Sequence, residues 1–335
     1  MSVERENGRP GVVFVVSQPR AGSTLLQTML AGHPRIADPG ETWLMLPLIH
    51  AIGSSRVTAH APYCGKLADE AIQCFAAEHL DRGVSDIHRE IGTAATKIYQ
   101  AVCERAGKDV VVDKTPRYYW IIDELLRFMP DCRIILLVRN PLAVLSSMIA
   151  TWASNSLGNL SRYRDDLLEA PARIANAMQY DDHRIRTVRY EELVREPESV
   201  LRDLQNFIGV DEVTGLANYG QAPRRQFGDP VGIHDYDAPS IDSMDKWLSH
   251  AKQSPIVWRL LNDYRKVLGR QLLGRLGYCE QSFCESLEEV KPRGVAIAPS
   301  LEVQLQRKPI EPIRSVIRLR NSCAKAISGL GSKVA

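Results

Sequence analysis

The feature that most constrains this chain is the run over residues 12–31, VVFVVSQPRAGSTLLQTMLA. Its first residues, 12–16, are apolar and mostly β-branched, which is typical of a strand buried on both faces of a parallel sheet. Turn-forming residues follow, and Ser23 or Thr24 is placed to cap a helix whose apolar residues recur at helical spacing. A strand, a glycine-containing loop and a helix amino terminus direct backbone N–H groups and a positive dipole end at one point. The run therefore predicts an anion site.

The loop differs from the one that binds ATP or GTP. That loop reads GxxxxGK[ST], where the lysine reaches the phosphates and the hydroxyl holds Mg²⁺. Here no lysine precedes Ser23, and Arg20 lies inside the loop instead. A P-loop kinase acting on a small hydroxyl compound is therefore an alternative that the sequence disfavours. It would require Mg²⁺ and bind ATP.

Two later strands end in polar residues of the kind that bind ligands. Residues 110–112 are all valine and run into Asp-Lys-Thr-Pro, which contains Lys114. Residues 132–138, CRIILLV, run into Arg139 and a helix-starting proline, and Ser147 follows eight residues after the arginine. Open α/β sheets bind ligands at the carboxyl ends of their strands, so we expect these side chains to face the anion site. The fold predicted is α/β, with a central parallel sheet flanked by helices.

Bulk composition is that of a globular protein: 44% of the residues are apolar and 24% are charged. No apolar run approaches the ~20 residues of a membrane helix, and the net charge of +2 gives no indication of a nucleic-acid partner. The polar start, MSVERENGRPG, does not resemble a secretory signal. Seven scattered cysteines without a CxxC pair favour reduced thiols over a disulfide or zinc framework. We therefore expect a cytoplasmic protein.

Patterning elsewhere predicts mostly helices. Residues 47 to about 108 read as a helical insertion that walls the ligand site, whereas residues 36–42 and 151–165 read as loops. Further helices are predicted over residues 118–128, 167–182, 197–209 and 255–276.

The carboxyl-terminal part has a different character. We predict one domain over residues 1–278 and an extension over 279–335. Residues 304–335 contain seven basic residues and one acidic residue, Glu311, with apolar residues roughly on one helical face. Such a tail predicts contact with an anionic membrane surface or a partner. A helix docked on the domain and a disordered tail are the alternatives.

Several of these motifs resemble those of one family in the right order. PRAGST resembles the 5′-phosphosulfate loop of sulfotransferases that use 3′-phosphoadenosine 5′-phosphosulfate (PAPS), and PRAGSTLLQTMLAGHP is similar to the version in tyrosylprotein sulfotransferases. The strand-Lys-Thr-Pro element, the Arg139–Ser147 spacing and TVRYEEL at residues 187–193 resemble three further elements of that family. The resemblance covers residues 12–278 and implies a P-loop-like α/β fold.

The resemblance also implies a set of roles. The 5′-phosphosulfate group would be bound by Arg20, Ala21, Gly22, Ser23, Thr24 and Leu25. Arg139 and Ser147 would hold the 3′-phosphate, and Tyr190 would stack near the adenine. Lys114 would stabilise charge on the leaving oxygen, and the product would be adenosine 3′,5′-bisphosphate (PAP). Because a sulfuryl group carries less negative charge than a phosphoryl group, these fixed donors would suffice without a metal.

The acceptor side is the least determined part of the prediction. Glu41 and the threonine after it match the family's Glu-Thr pair, so Glu41 is the expected general base, with His60 in reserve. The family's basic residue after this pair is Trp43 here, which favours an apolar or aromatic acceptor over a peptide. His234 and Ser240 are minor candidates for donor contacts. The hydroxyl acceptor itself stays open among a small molecule, a carbohydrate, a lipid and a peptide, and a non-catalytic nucleotide-binding protein is the second alternative.

Overall fold

The structure is a computed structural model that describes residues 11–50, 65–153, 157–220, 237–293 and 300–306. Over these residues the chain forms a parallel sheet with the strand order β2-β3-β1-β4-β5. The strands are β1 (Val12–Ser17), β2 (Ile36–Ala37), β3 (Val110–Lys114), β4 (Arg133–Val138) and β5 (Ile185–Arg189). The predicted parallel α/β fold is confirmed, and the strand that precedes the anion loop lies at its centre.

Helices cover the sheet and extend beyond it. In the described residues they are α1 (Ser23–Ala31), α2 (Met45–His50), α3 (Gly65–His79), α4 (Val84–Ala106), α5 (Ile122–Phe128), α6 (Pro141–Trp152), α7 (Arg164–Ala177), α8 (Tyr190–Arg195), α9 (Pro197–Ile208), α10 (Asp242–Gln253), α11 (Pro255–Arg275), α12 (Glu280–Glu289) and α13 (Leu301–Gln306). Two 3-10 segments, Pro116–Trp120 and Leu157–Tyr163, precede α5 and α7.

Strand β1 is buried on both faces, as its sequence predicts. Phe14 packs with the apolar residues of α4 and α5 on one side of the sheet, including Tyr99. Val15 belongs to the cluster on the other side, which contains Leu26 of α1 and Leu204 of α9. Because successive side chains of a strand point to opposite faces, an unbroken apolar run is what this position requires.

A third apolar cluster lies beside the sheet and holds α6, α10 and α11 together. Leu145 and Leu261 belong to it, and so do Phe283 of α12 and Leu301 of α13. The first part of the predicted extension is therefore packed against the domain. Residues 307–335 lie outside the described part, and both the domain boundaries and the role of the basic tail stay predictions.

Three sequence expectations about local structure are wrong. The segment 36–42 contains the two-residue strand β2, which is too short to leave a period and is formed by pairing with Val110 of β3. The helix expected over residues 118–128 is divided, since Ile121 leaves the helical region at φ −133°. The loop expected over 151–165 contains the 3-10 segment Leu157–Tyr163, where buried Leu160 packs into the third cluster.

The region expected to be a helical insertion contains α2, α3 and α4 in its described residues. His60 and the break around it lie outside them. None of the described helices is long and apolar enough to cross a membrane.

Candidate active site at the carboxyl edge of the sheet

The anion loop joins β1 to α1 through two residues with positive φ. Arg20 has a φ of 73° and Gly22 a φ of 98°. Gly22 is the N-cap of α1, so the expected capping by Ser23 or Thr24 is wrong: both lie inside the helix. The first N–H groups of α1 have no acceptor within the helix and are directed at the loop. Ala21 and Leu25 pack their side chains into apolar clusters, and the Ala21 N–H closes the loop by donating to the Gln18 carbonyl oxygen over 3.1 Å.

The two residues expected at opposite phosphates of the donor contact each other. The Nε of Arg20 donates a hydrogen bond to the Ser147 hydroxyl on α6 over 3.1 Å. The guanidinium of Arg20 also lies 5.8 Å from the ring centre of Trp152 at the end of the same helix. The structure thus brings the anion loop and α6 together at one place.

Arg139 is the second cation at this place and is deeply buried. Its two Nη atoms donate to the carbonyl oxygens of Arg20, at 3.1 Å, and Ser243, at 2.8 Å. Its Nε has no hydrogen-bond partner within the described part of the chain. Burial lowers the pKa of Arg139, although Tyr190 and Glu191 act in the opposite direction. A buried guanidinium with one unmet donor fits an anionic ligand.

Tyr190 completes this side of the site. Its ring lies 4.1 Å from the Arg139 guanidinium, and its hydroxyl is 2.7 Å from the Ser243 Oγ. A Cβ on Gly22 would come within 2.4 Å of the Tyr190 ring, so the loop approaches the ring as closely as glycine allows. The Ser243 hydroxyl donates to the Ser240 carbonyl oxygen over 2.7 Å.

Ser243 was missed in the sequence because it is the second residue of α10 and lies 53 residues after Tyr190. Its only signal in the sequence was its place three residues after Ser240, a minor candidate for donor contacts. His234 lies outside the described residues.

Glu41 and Lys114 form an ion pair at the ends of their segments. Lys114 Nζ donates to Glu41 Oε1 over 2.5 Å, and the two side chains are 2% and 13% exposed. The other carboxylate oxygen accepts a hydrogen bond from the Trp43 indole N–H over 3.3 Å. The structure therefore brings together the predicted base and the predicted leaving-group lysine, which are 73 residues apart in the chain.

A buried carboxylate holds the segment that carries Glu41. Asp113 is fully buried and accepts hydrogen bonds from hydroxyl groups around it: Thr42 at 2.5 Å, Tyr99 at 2.7 Å, and Tyr118 and Thr115 at 3.0 Å. Burial raises the pKa of Asp113, and these hydrogen bonds oppose the rise. Asp113 was not among the predicted site residues, although its place beside Lys114 at the end of β3 could have indicated a role in the site.

Helix α1 fixes the same segment from the other side. The Gln27 amide donates to Asp38 Oδ1 over 2.7 Å and to the Gly40 carbonyl oxygen over 3.1 Å. Because Gln27 is buried in the helix that starts at the anion loop, the segment before Glu41 is tied to that loop by a short path. The base segment and the anion loop form one unit.

These contacts test whether the chain fits a phosphosulfate donor. The helix N–H groups and the unmet Nε of Arg139 suit anionic phosphate. The Tyr190 ring is 5% exposed, lies against Gly22 and is covered by the Arg139 guanidinium, so its stacking on adenine stays a prediction. Among the described residues, no three metal-ligating side chains cluster. The expectation that no metal is required stays a prediction.

Comparison with known proteins agrees with this geometry. Residues 10–214 match the model of the Sulfotransferase family. The nodulation protein NoeE of Sinorhizobium fredii is 30% identical over 313 residues, which are 86% of this chain and 71% of that protein. Protein-tyrosine sulfotransferase 2 of Gallus gallus is 24% identical over 289 residues, 80% of this chain and 69% of that protein.

A solved structure is similar as well. The sulfotransferase domain from the Synechococcus PCC 7002 olefin synthase superposes with a TM-score of 0.50 at 26% identity. The match covers 73% of this chain and 90% of that domain. Family membership decides against the kinase and the non-catalytic alternatives. The chain belongs to the sulfotransferase family and is an enzyme that transfers a sulfuryl group to a hydroxyl-bearing acceptor.

Proposed function

We propose that the donor is PAPS and that Glu41 is the general base of the transfer. The observation that carries the proposal is the buried contact between Glu41 and Lys114 at the carboxyl edge of the sheet. It places a proton acceptor and a cation together, on a segment that Gln27 ties to the anion loop. A base and a leaving-group stabiliser are the two groups that such a transfer needs.

Each residue then has a chemical task. Arg20 and the first N–H groups of α1 hold the phosphosulfate group, while Arg139 and Ser147 hold the 3′-phosphate. When bound, PAPS supplies the electrophilic sulfur and a bisphosphate leaving group. Glu41 accepts the hydroxyl proton as the acceptor oxygen bonds to sulfur and the bond from sulfur to the phosphate oxygen breaks. Lys114 donates to that phosphate oxygen, which leaves with the electron pair.

Fixed cations take the place of a metal in this scheme. Lys114, Arg20 and Arg139 are positioned by the fold before the reaction, so they need no reorganisation when charge develops. We therefore expect sulfuryl transfer to continue in the presence of a chelator such as EDTA.

The proposal is tested by Glu41→Gln. We expect kcat to fall about 10²- to 10⁴-fold while the affinity for PAP changes little, because the amide keeps the shape of the side chain. Glu192→Gln, at a carboxylate that is 61% exposed on α8, is the matched control and should retain activity.

Two outcomes would contradict the proposal in different ways. Unchanged kcat in Glu41→Gln would require another base, for which His60 is the next candidate. Calorimetric titration that shows binding of Mg·ADP in preference to PAP would remove PAPS as the donor.

The acceptor and the location of the enzyme belong to the same proposal. The name of the Gallus gallus relative specifies protein tyrosine, so a tyrosine peptide is one candidate beside a small molecule, a carbohydrate and a lipid. The free thiols of the described cysteines support a reducing, cytoplasmic location.

A further inference from the structure

Trp43 occupies an unusual position beside the general base. Its φ is 56°, in the left-handed region that bulky residues rarely adopt. The backbone is held there by its own N–H, which donates to the Thr115 hydroxyl over 3.3 Å, while the indole N–H donates to Glu41. Strain of this kind persists where the surrounding structure requires it. The side chain stays partly exposed next to the reacting carboxylate.

The guanidinium of Arg117 lies against the Trp43 ring, 5.5 Å from the ring centre. Its Nε and Nη2 donate to both oxygens of Asp166, the shortest contact being 2.7 Å. Asp166 is 2% exposed and also accepts a hydrogen bond from the Tyr119 hydroxyl over 2.8 Å. The positive charge beside Trp43 is therefore neutralised by a buried carboxylate.

The cation that contacts Glu41 and the cation that lies over the Trp43 ring are thus each paired with a carboxylate. Lys114 is paired with Glu41, and Arg117 is paired with Asp166. An anionic acceptor entering here would lose hydration and approach two carboxylates whose counter-ions are already engaged. An uncharged acceptor would meet neither cost.

Two further aromatic residues lie near the anion loop. Tyr163 stacks on Trp152 with ring centres 4.5 Å apart, and Arg20 of the anion loop approaches that tryptophan. Aromatic rings therefore lie at both ends of the site, Trp43 beside the base and Trp152 beside the anion loop.

We propose that Trp43 is the acceptor-binding platform and that it selects an uncharged, ring-bearing hydroxyl compound. The inference rests on the proposed function, because it takes Glu41 as the base. The electron-rich face of an indole attracts the C–H groups of a pyranose and the edge of a phenol alike. Either ring, placed on Trp43, brings its hydroxyl to the carboxylate that the indole N–H orients. An acidic tyrosine peptide is the acceptor that this arrangement disfavours.

The test measures binding of small probes to the PAP-loaded protein by calorimetry. Two matched pairs differ in charge alone as far as chemistry permits: methyl glucopyranoside against methyl glucuronide, and 4-methylphenol against 4-hydroxybenzoate. A tyrosine peptide flanked by glutamates is the fifth probe. We expect at least one uncharged probe to bind about tenfold or more tightly than its anionic partner, which is about 1.4 kcal/mol. The glycoside and phenol arms show which ring is preferred.

Trp43→Arg places a basic residue after the Glu-Thr pair and removes the indole platform. The ratio of the affinities for the uncharged and the anionic probe should therefore fall about tenfold or more. Trp258→Phe is the matched control, because Trp258 on α11 also packs against a cation, that of Lys291, beside the third apolar cluster. It should leave the preference unchanged.

Three results would overturn the inference: tighter binding of an anionic probe or of the acidic peptide by the wild-type protein, no binding of either uncharged probe, or an unchanged preference in Trp43→Arg. Failure of the proposed function would show separately, as unchanged kcat in Glu41→Gln or as binding of Mg·ADP in preference to PAP.

Discussion

The two sides of the site differ in the groups to which their cations are hydrogen-bonded. The donor side consists of residues around the anion loop: Arg20, Arg139, Ser147, Tyr190 and Ser243. The acceptor side consists of residues around the base: Glu41, Trp43, Lys114, Arg117 and Asp166. On the donor side the hydrogen bonds of Arg139 run to carbonyl oxygens, which are neutral. On the acceptor side Lys114 and Arg117 each bind a carboxylate.

This difference matches the charges of the two proposed ligands. A guanidinium whose hydrogen bonds run to neutral oxygens loses hydration without a hydrogen-bonded counter-ion. Burial lowers the pKa of Arg139, although the Glu191 carboxylate acts in the opposite direction. A dianionic phosphate would supply the missing counter-charge. The paired cations of the acceptor side have no such deficit, so that side suits a neutral molecule. Cation pairing, more than the number of basic residues, distinguishes the two sides.

Arg139→Ala is the strongest test of the contrast between the two sides. Removal of charge-assisted hydrogen bonds to phosphate should weaken PAP binding about 100-fold, since each is worth about 1.5–3 kcal/mol. Titration calorimetry with PAP measures the loss. Arg133→Ala is the matched control, because Arg133 lies at the opposite end of β4 and packs on the Phe207 ring.

That control should retain PAP affinity. If Arg139→Ala binds PAP as tightly as the wild-type protein does, the donor side does not hold phosphate and the contrast between the two sides is lost.

Asp166→Asn should make the acceptor side resemble the donor side, because it would leave a cation without a hydrogen-bonded carboxylate. Arg117 would lose its counter-ion beside Trp43, and the free energy of unfolding should fall by about 2 kcal/mol. The value lies below that of a fully buried pair because the Arg117 side chain is 30% exposed. Urea unfolding measures this change, and probe binding should shift toward the anionic member of each pair.

Asp165→Asn tests the specificity of that effect. The neighbouring carboxylate is 55% exposed, and its removal should change stability by less than about 0.5 kcal/mol. Equal effects from the two variants would show that pairing of Arg117 is not what sets the charge of the acceptor side.

Thr42→Val tests the hydrogen bond to Asp113 that positions the segment carrying Glu41. The hydroxyl that donates to Asp113 would be lost, leaving a buried carboxylate with one donor fewer and lowering stability by about 1–2 kcal/mol. Because Glu41 is the preceding residue, displacement of the segment should lower kcat about tenfold without changing PAP affinity. Thr42→Ser keeps the donor and should restore most of the loss. A loss of PAP affinity instead would mean that Asp113 supports the donor side.

Local sequence patterns predicted the three central strands of the sheet. The β-branched runs that became β1, β3 and β4 carry their own signal, because a strand buried on both faces must be apolar throughout. Arg139, which follows β4 directly, and Lys114, which is the last residue of β3, could be predicted from these strands. Strand β2 left no signal, since Ile36 and Ala37 become a strand only through pairing with β3.

Pairings across the fold were beyond the sequence. Arg117 meets Asp166 over 49 residues, and Arg139 meets Ser243 over 104. A contact of this kind depends on how α7 and α10 pack, and local periodicity does not encode that packing. The sequence contains every residue of the acceptor side but does not show which of them pair. The charge balance that supports an uncharged acceptor could therefore not be predicted.

The smallest expected effect concerns pH and the helix that supports the donor side. His250 on α10 lies 3.0 Å from the Ser146 hydroxyl, and burial lowers its pKa below the ordinary 6.5. A histidine whose pKa is lowered by folding stabilises the fold above its unfolded pKa, and this contribution is lost as the pH falls through the folded value. Below pH 6.5, PAP affinity and the melting temperature should therefore decline less in His250→Gln than in the wild-type protein. His183→Gln, at a side chain that is 89% exposed, should reproduce the wild-type profile. Identical profiles for the wild type and His250→Gln would show that protonation of this histidine does not loosen α10, so that the acid sensitivity of the donor side arises elsewhere.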